Sequence, residues 1–265
     1  MARVSIISPD KARAGGLPPG LFGTARAAAY CDKPGEPIHL HRLTFAAGDN
    51  VRIGPYAADA LAYLWSGTVH SGGVELAAGS SAIAEHGAVL ELAGEGTAEV
   101  LLFAGGEPVS HGRPGGKVHL LPAGRVPGAD ALAGSEGVGG WMHSDGSCPG
   151  CEVWLHENRF APGPAEAEQL APGEQPRGLH SHSESEMIFV TSGSIRLGHK
   201  LYPAGTAVAI AADTLYHLGP GPEGMSFVNF RAGTPSDIRF ANGHRVSETG
   251  YWRERVARPE YLEPA

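Results

Sequence analysis

The segment IHLHRLTFAAG at residues 38–48 returns as VWLHENRFAPG at 153–163, with Leu40 and Leu155, His41 and His156, Phe45 and Phe160, and Gly48 and Gly163 at matched places. Farther along, Gly67 and Gly193, which close YLWSG and IFVTSG, stand 126 residues apart, and so do Gly79 and Gly205. The pair LLFAGG (101–106) and VNFRAG (228–233) repeats at 127. A near-constant offset over several segments marks one structural unit made twice. The second copy carries one additional residue between Gly205 and Phe230, and about eleven more in the stretch PAEAEQLAPGE ahead of residue 180.

What is repeated reads as β-structure. Short apolar runs such as AEVLLF, EMIFV, SIRLG and TAVAIA are bounded by Gly, Pro or Asp, and 39 Gly and 21 Pro in 265 residues suit many turns and few long helices. Residues 107–150 carry GRPGGK, PAGRVPGADALAGSEGVGG and SDGSCPG, a composition that interrupts both helix and strand apart from a short run at Val118–Leu121. The expected organisation is all-β: a first domain at 1–106, a linker at 107–150, a second domain at 151–245 and a tail at 246–265. That tail reads as a short helix or as a segment laid across the fold, and its Tyr and Trp read as packing residues.

Charge narrows the partners. A formal charge of -8 and a pI near 5.9 leave no basic face for nucleic acid or anionic lipid, so a small-molecule ligand is expected. The amino terminus lacks the apolar core of a signal peptide and no run of 18 apolar residues occurs, which reads as a soluble, cytoplasmic protein. Three cysteines are too few for a disulfide scaffold. Cys148-Pro149-Gly150-Cys151 has C-x-x-C spacing, but zinc needs two more ligands, and His143 and His156 are the histidines nearest in sequence. The expectation is a Pro-Gly turn, with a disulfide or an accessory site as the alternative.

The residues that carry chemistry are His180-Ser-His182-Ser-Glu-Ser-Glu186, followed by Gly193. In an extended chain positions two apart share a face, so His180 and His182 point the same way and Glu186, after a turn, can face them. With 13 His in the chain, H-x-H alone arises about 0.6 times by chance, whereas Glu and Gly at these spacings cut the expectation to about 0.007. Glu184 is a weaker candidate than Glu186 because it falls in the turn.

This pattern resembles the first motif of the cupin superfamily, and the repeat with it resembles a bicupin of two tandem jelly-roll β-barrels. The resemblance implies a second motif after Gly205 that supplies His217, and hence one divalent transition metal per chain (Fe, Mn, Ni, Co, Cu or Zn) on His180, His182, Glu186 and His217. Ala211-Ala212-Asp213-Thr214-Leu215-Tyr216-His217 has one residue too many for that motif, so a bulge before His217 is expected. At the same offsets the first copy has Gly54, Tyr56, Ala60 and Leu90, which hold no metal, and it reads as degenerate. Strand parity offers Trp154, His156 and Asn158, and Phe227, Asn229 and Arg231, as cavity-lining sets; Arg177 and Tyr216 are further candidates for contact with a substrate.

A three-His, one-Glu set is similar to that of quercetin-type dioxygenases. The resemblance therefore implies an oxidoreductase acting on a small oxygen-rich molecule, with Glu186 as a catalytic base as well as a ligand. Redox-neutral isomerase or hydrolase chemistry, as in ureidoglycine aminohydrolases, is the alternative, and a non-catalytic ligand-binding or sensor cupin is a further one. Cupin barrels associate through their sheets, which implies a homodimer.

Overall fold

The computed structural model describes residues 3–108, 112–133, 137–148, 150–165 and 178–264. Arg177 and residues 166–174 of the inserted stretch lie outside them. The regular structure of the described chain is almost entirely β-strand, with one α-helix, Glu248–Arg253, and no helix long and apolar enough to cross a membrane.

It forms two compact units. An N-terminal unit comprises Lys11–Val126, His143–Val153 and Pro259–Ala265, and a C-terminal unit comprises Met1–Asp10, Pro127–Met142 and Trp154–Arg258. The boundaries therefore differ from the linear division at 106, 150 and 245. Unpaired edges of the large sheets recruit chain from distant positions. Val4–Ile7 runs antiparallel to Ala207–Ile210 in the C-terminal unit, with Val4 opposite Ile210, while Leu262 exchanges two 2.8 Å backbone hydrogen bonds with Leu120 in the N-terminal unit. An open edge offers a row of backbone donors and acceptors, and a terminal segment satisfies them.

In the N-terminal unit the large sheet runs, in spatial order, Val118–Leu121, Ser81–Ala84, Ala60–Ser66, Ala98–Gly105, Ile38–Phe45, Arg26–Cys31 and Arg13–Gly15. In the C-terminal unit the order is Val4–Ile7, Ala207–Ile210, Glu186–Leu197, Gly219–Arg231, Trp154–Phe160, Val138–Asp145 and Gly128–Ala129. The two orders correspond strand for strand. Gly67 and Gly193 keep matching turns, at φ +77° and +65°. A Cβ would lie 2.3 Å from Thr97 O at the first and 2.2 Å from Gly224 O at the second, so both conformation and crowding demand glycine.

The core of the N-terminal unit fills the places that correspond to the candidate ligand positions of the other copy. Ala60 and Leu90 are 1% exposed within a cluster that includes Leu43, Ile53 and Leu102, and Tyr56 packs against it. In the C-terminal unit Ile188, Val190, Val208, Ile210 and Phe227 form one cluster, against which Val4 and Ile6 pack, and Leu132, Met142, Trp154 and Trp252 form another.

Candidate active site

Within the C-terminal unit a cavity of about 460 Å³ is lined by His156, Asn158, His180, His182, Tyr216, His217, Asn229, Arg231 and Glu248, with aromatic walls from Phe160, Phe227, Phe240, Tyr251 and Trp252. Its size suits a small organic ligand. Five of the six residues suggested by strand parity reach it. The sixth, Trp154, is buried behind His156 and donates its Nε1 hydrogen to His156 Nδ1 at 2.9 Å.

His180 and His182 lie on the three-residue strand His180–His182, paired with Asp237–Phe240, and Glu186 opens the long strand Glu186–Leu197. Each imidazole is tied back through Nδ1. His180 Nδ1 donates to Gly178 O at 2.6 Å, and His182 Nδ1 donates to Glu248 Oε2 at 2.9 Å. His180 Nε2 therefore carries the lone pair, whereas His182 Nδ1 also lies 3.0 Å from the Arg231 guanidinium, a donor, and His182 Nε2 lies 3.9 Å from Glu186 Oε2. A carboxylate or carbonyl behind the outer nitrogen is how metal-binding histidines are oriented.

Glu186 is 2% exposed, and its Oε2 accepts from Asn229 Nδ2 at 2.8 Å and from Arg231 at 3.0 Å. Its Oε1 is buried without a well-formed hydrogen-bond partner. Burial alone would raise the pKa of this carboxyl, but His182, Arg231 and hydrogen bonds from Tyr216 and Asn229 outweigh it and hold the group below the usual carboxylate range. Glu186 is thus an anion, suited to ligation and poorly suited to take a proton.

Tyr216 takes the place that the sequence reading gave to His217. Backbone hydrogen bonds of 3.0 and 2.9 Å join His180 to Tyr216, which brings the phenol hydroxyl to 3.1 Å from His180 Nε2 and close to Glu186. His217 lines the same cavity, but no three of His180, His182, Glu186 and His217 have ligand atoms mutually within 4.8 Å. The register explains the difference. At an offset of 126 Leu90 maps to Tyr216, and Leu90 pairs with Ile53 as Tyr216 pairs near His180, so the additional residue of the second copy falls after Tyr216. Asp213, with φ 56°, makes the left-handed turn before it. Burial holds the Tyr216 phenol protonated well above its ordinary range.

Arg231 and Glu248 complete the arrangement. Arg231 is 0% exposed and binds Glu186 at 3.0 Å and Glu248 at 2.6 Å. Glu248 lies 66 residues from His182 and carries no motif, so no local pattern signals its role. Glu184 turns instead to Ser183 and Ser236. The donor types, two imidazoles and a buried carboxylate, are those that bind a divalent metal, but the ligand atoms of His180, His182 and Glu186 are not all within 4.8 Å of one another, so binding one ion on all three requires them to draw together.

No protein-family model and no curated protein sequence matches the chain. Solved structures do. The Ylba protein of E. coli superposes with a TM-score of 0.63 at 16% identity, over 86% of this chain and 90% of that one. The chain shares its fold with that protein. Oxalate decarboxylase of Lactobacillus farciminis, in complex with formate, gives 0.63 at 12% identity over 92% and 88%. A provisionally named dioxygenase of Nostoc punctiforme gives 0.61 at 12% over 93% and 87%. At such identities the likeness is one of fold.

Proposed function

We propose that the chain is a bicupin whose C-terminal unit is a metal-dependent enzyme acting on a small oxygen-rich organic molecule, with dioxygenase-type oxidation as its leading chemistry. The observation that carries this reading is the set His180 Nε2, His182 Nε2 and Glu186 Oε1 beside a cavity of about 460 Å³. Among the fold neighbours, an oxalate decarboxylase and a provisionally named dioxygenase support this chemistry. A metal held by His180, His182 and Glu186 would supply Lewis acidity and a change of oxidation state.

The chain's own residues bind, orient and protect. Phe160, Phe227, Phe240 and Trp252 exclude water from the reacting centre. Burial pushes His156 down to about 3, so it stays neutral; because Nδ1 accepts from Trp154, its proton sits on Nε2 as a fixed donor to a substrate oxygen. Arg231 holds the Glu186 and Glu248 carboxylates in place. Tyr216 keeps a proton at its hydroxyl beside His180, which makes it a better proton carrier than Glu186.

That phenol favours a second reading, redox-neutral proton transfer leading to isomerisation or hydrolysis. Metal-loaded protein, tested against small hydroxy-, oxo- and ureido-acids with and without oxygen, separates the two. Oxygen uptake coupled to product, abolished in His182→Ala, is the expected result. Equal turnover under strict anaerobiosis selects the redox-neutral reading, and tight ligand binding with no turnover under any metal overturns both. Association as a homodimer belongs to the same proposal, and a monomer by light scattering would refute it.

A further inference from the structure

The N-terminal unit holds a second group of donors that takes no part in this chemistry. Ligand atoms of His119, Cys148 and Cys151 lie within 4.8 Å of one another, and among the described residues this is the one such group of His, Cys, Asp and Glu. Glu85 joins them. Its Oε1 lies 2.8 Å from His119 Nε2 and 3.4 Å from Cys148 Sγ, and Cys148 Sγ lies 3.2 Å from His119 Nε2. Cys151 is 1% exposed and Glu85 3%, and both cysteines are free thiols.

The fold aims these groups at one point. Glu85 follows the strand Ser81–Ala84, and His119 lies opposite Ile83 on the neighbouring strand. The Lys117 backbone N–H donates to Glu85 Oε2 at 3.0 Å, which turns Oε1 toward the sulfur. At Gly150, between the cysteines, a Cβ would lie 2.0 Å from Glu85 Oε1, so a side chain there would fill the space the carboxylate uses.

We propose that Cys148, Cys151, His119 and Glu85 form a tetrahedral zinc site that fastens the segment His143–Val153 to the sheet of the N-terminal unit. Zinc bonds of ~2.0–2.3 Å imply ligand-to-ligand edges of ~3.3–3.8 Å; the 2.8, 3.2 and 3.4 Å among Glu85, His119 and Cys148 are a slightly contracted face of such a tetrahedron, and Cys151, within 4.8 Å of His119 and Cys148, closes on it by a small shift. Two thiolates and a buried carboxylate side by side repel strongly unless a cation lies among them, and a divalent ion removes that cost as it displaces the thiol protons. A dithiol redox pair needs only its sulfurs. The convergence of an imidazole and a carboxylate on the same point is what a metal requires, and four protein donors leave no open position, as in structural sites. The count rises from the one metal expected in the sequence to two of different kinds.

Cobalt titration of the purified full chain tests this. Tetrahedral thiolate-bound Co²⁺ gives an intense sulfur-to-cobalt charge-transfer band that zinc then displaces. That band is expected in the unaltered protein, in Cys31→Ser and in His180→Ala/His182→Ala, and is expected to vanish in Cys148→Ser. Its persistence in the His180→Ala/His182→Ala variant separates this site from the C-terminal one. Absence of the band from the unaltered protein, with Cys148 and Cys151 reacting freely with a thiol reagent in the presence of zinc, overturns the proposal, as does a Cys148–Cys151 disulfide found by mass spectrometry. The unaltered protein alone decides the matter should the cysteine variant fail to fold.

Discussion

Arg231 sits with no exposed surface between Glu186 and Glu248, so a single guanidinium balances two buried carboxylates. Arg231→Met removes that balance and leaves uncompensated charge, which costs about 3–5 kcal/mol; urea denaturation at neutral pH is expected to show it, and a loss below about 1 kcal/mol would mean that the network carries little. His156 sets a pH dependence. Its folded pKa of about 3 lies below the ordinary 6.5, so between those values the unfolded chain binds the proton and the folded one does not. Stability therefore declines as pH falls from about 6.5 toward 3, on the order of a few kcal/mol at ~1.4 kcal/mol per pH unit. His156→Gln is expected to flatten that decline in urea midpoints measured at pH 4.5 and 7. At this scale the sequence was legible where alternation rules: His180 and His182, and the sets around His156 and Asn229, reach one cavity. Tyr216 was offered as a substrate contact but not as the neighbour of His180 and Glu186, because a spacing rule does not say on which side of a position an insertion falls.

The helix Glu248–Arg253 is six residues long and cannot stand alone, yet its first residue orients a candidate ligand. Ser247 caps it, accepting from the Gly250 N–H at 3.2 Å, and Trp252 anchors its buried side in the cluster with Trp154. Ser247→Ala is expected to cost about 1 kcal/mol of stability and to weaken metal retention in the C-terminal site through loosened Glu248. Competition with a chelator reads the second effect, and unchanged retention would separate the helix from the site. Of the two forms expected for the tail, a short helix or a segment laid across the fold, the structure has the helix, and its Tyr251 and Trp252 line the cavity as well as packing. That its acidic first residue reaches His182 follows from a tertiary contact that no local pattern encodes.

Over the whole molecule the two large sheets share one strand order, and Val4–Ile7 occupies in the C-terminal unit the place that Val118–Leu121 occupies in the N-terminal one. The repeat made that correspondence readable for the strands that follow Gly67 and Gly193. It did not reveal the first strand, because an edge strand is chosen by long-range pairing and VSII carries no mark of its partner. The consequence is that a linear cut cannot yield a complete C-terminal unit. A fragment of residues 127–258 lacks Val4–Ile7, which leaves the backbone of Ala207–Ile210 unpaired at the edge and removes Val4 and Ile6 from the cluster of Ile188, Val208 and Ile210. An exposed apolar edge of this kind invites aggregation and loses cooperativity. That fragment is expected to unfold without a sharp transition, while fusion of residues 1–10 through a flexible linker to its amino terminus, or addition of the same peptide in trans, restores one. Cooperative unfolding of the bare fragment at the same urea midpoint as the fused form would show that the strand is dispensable.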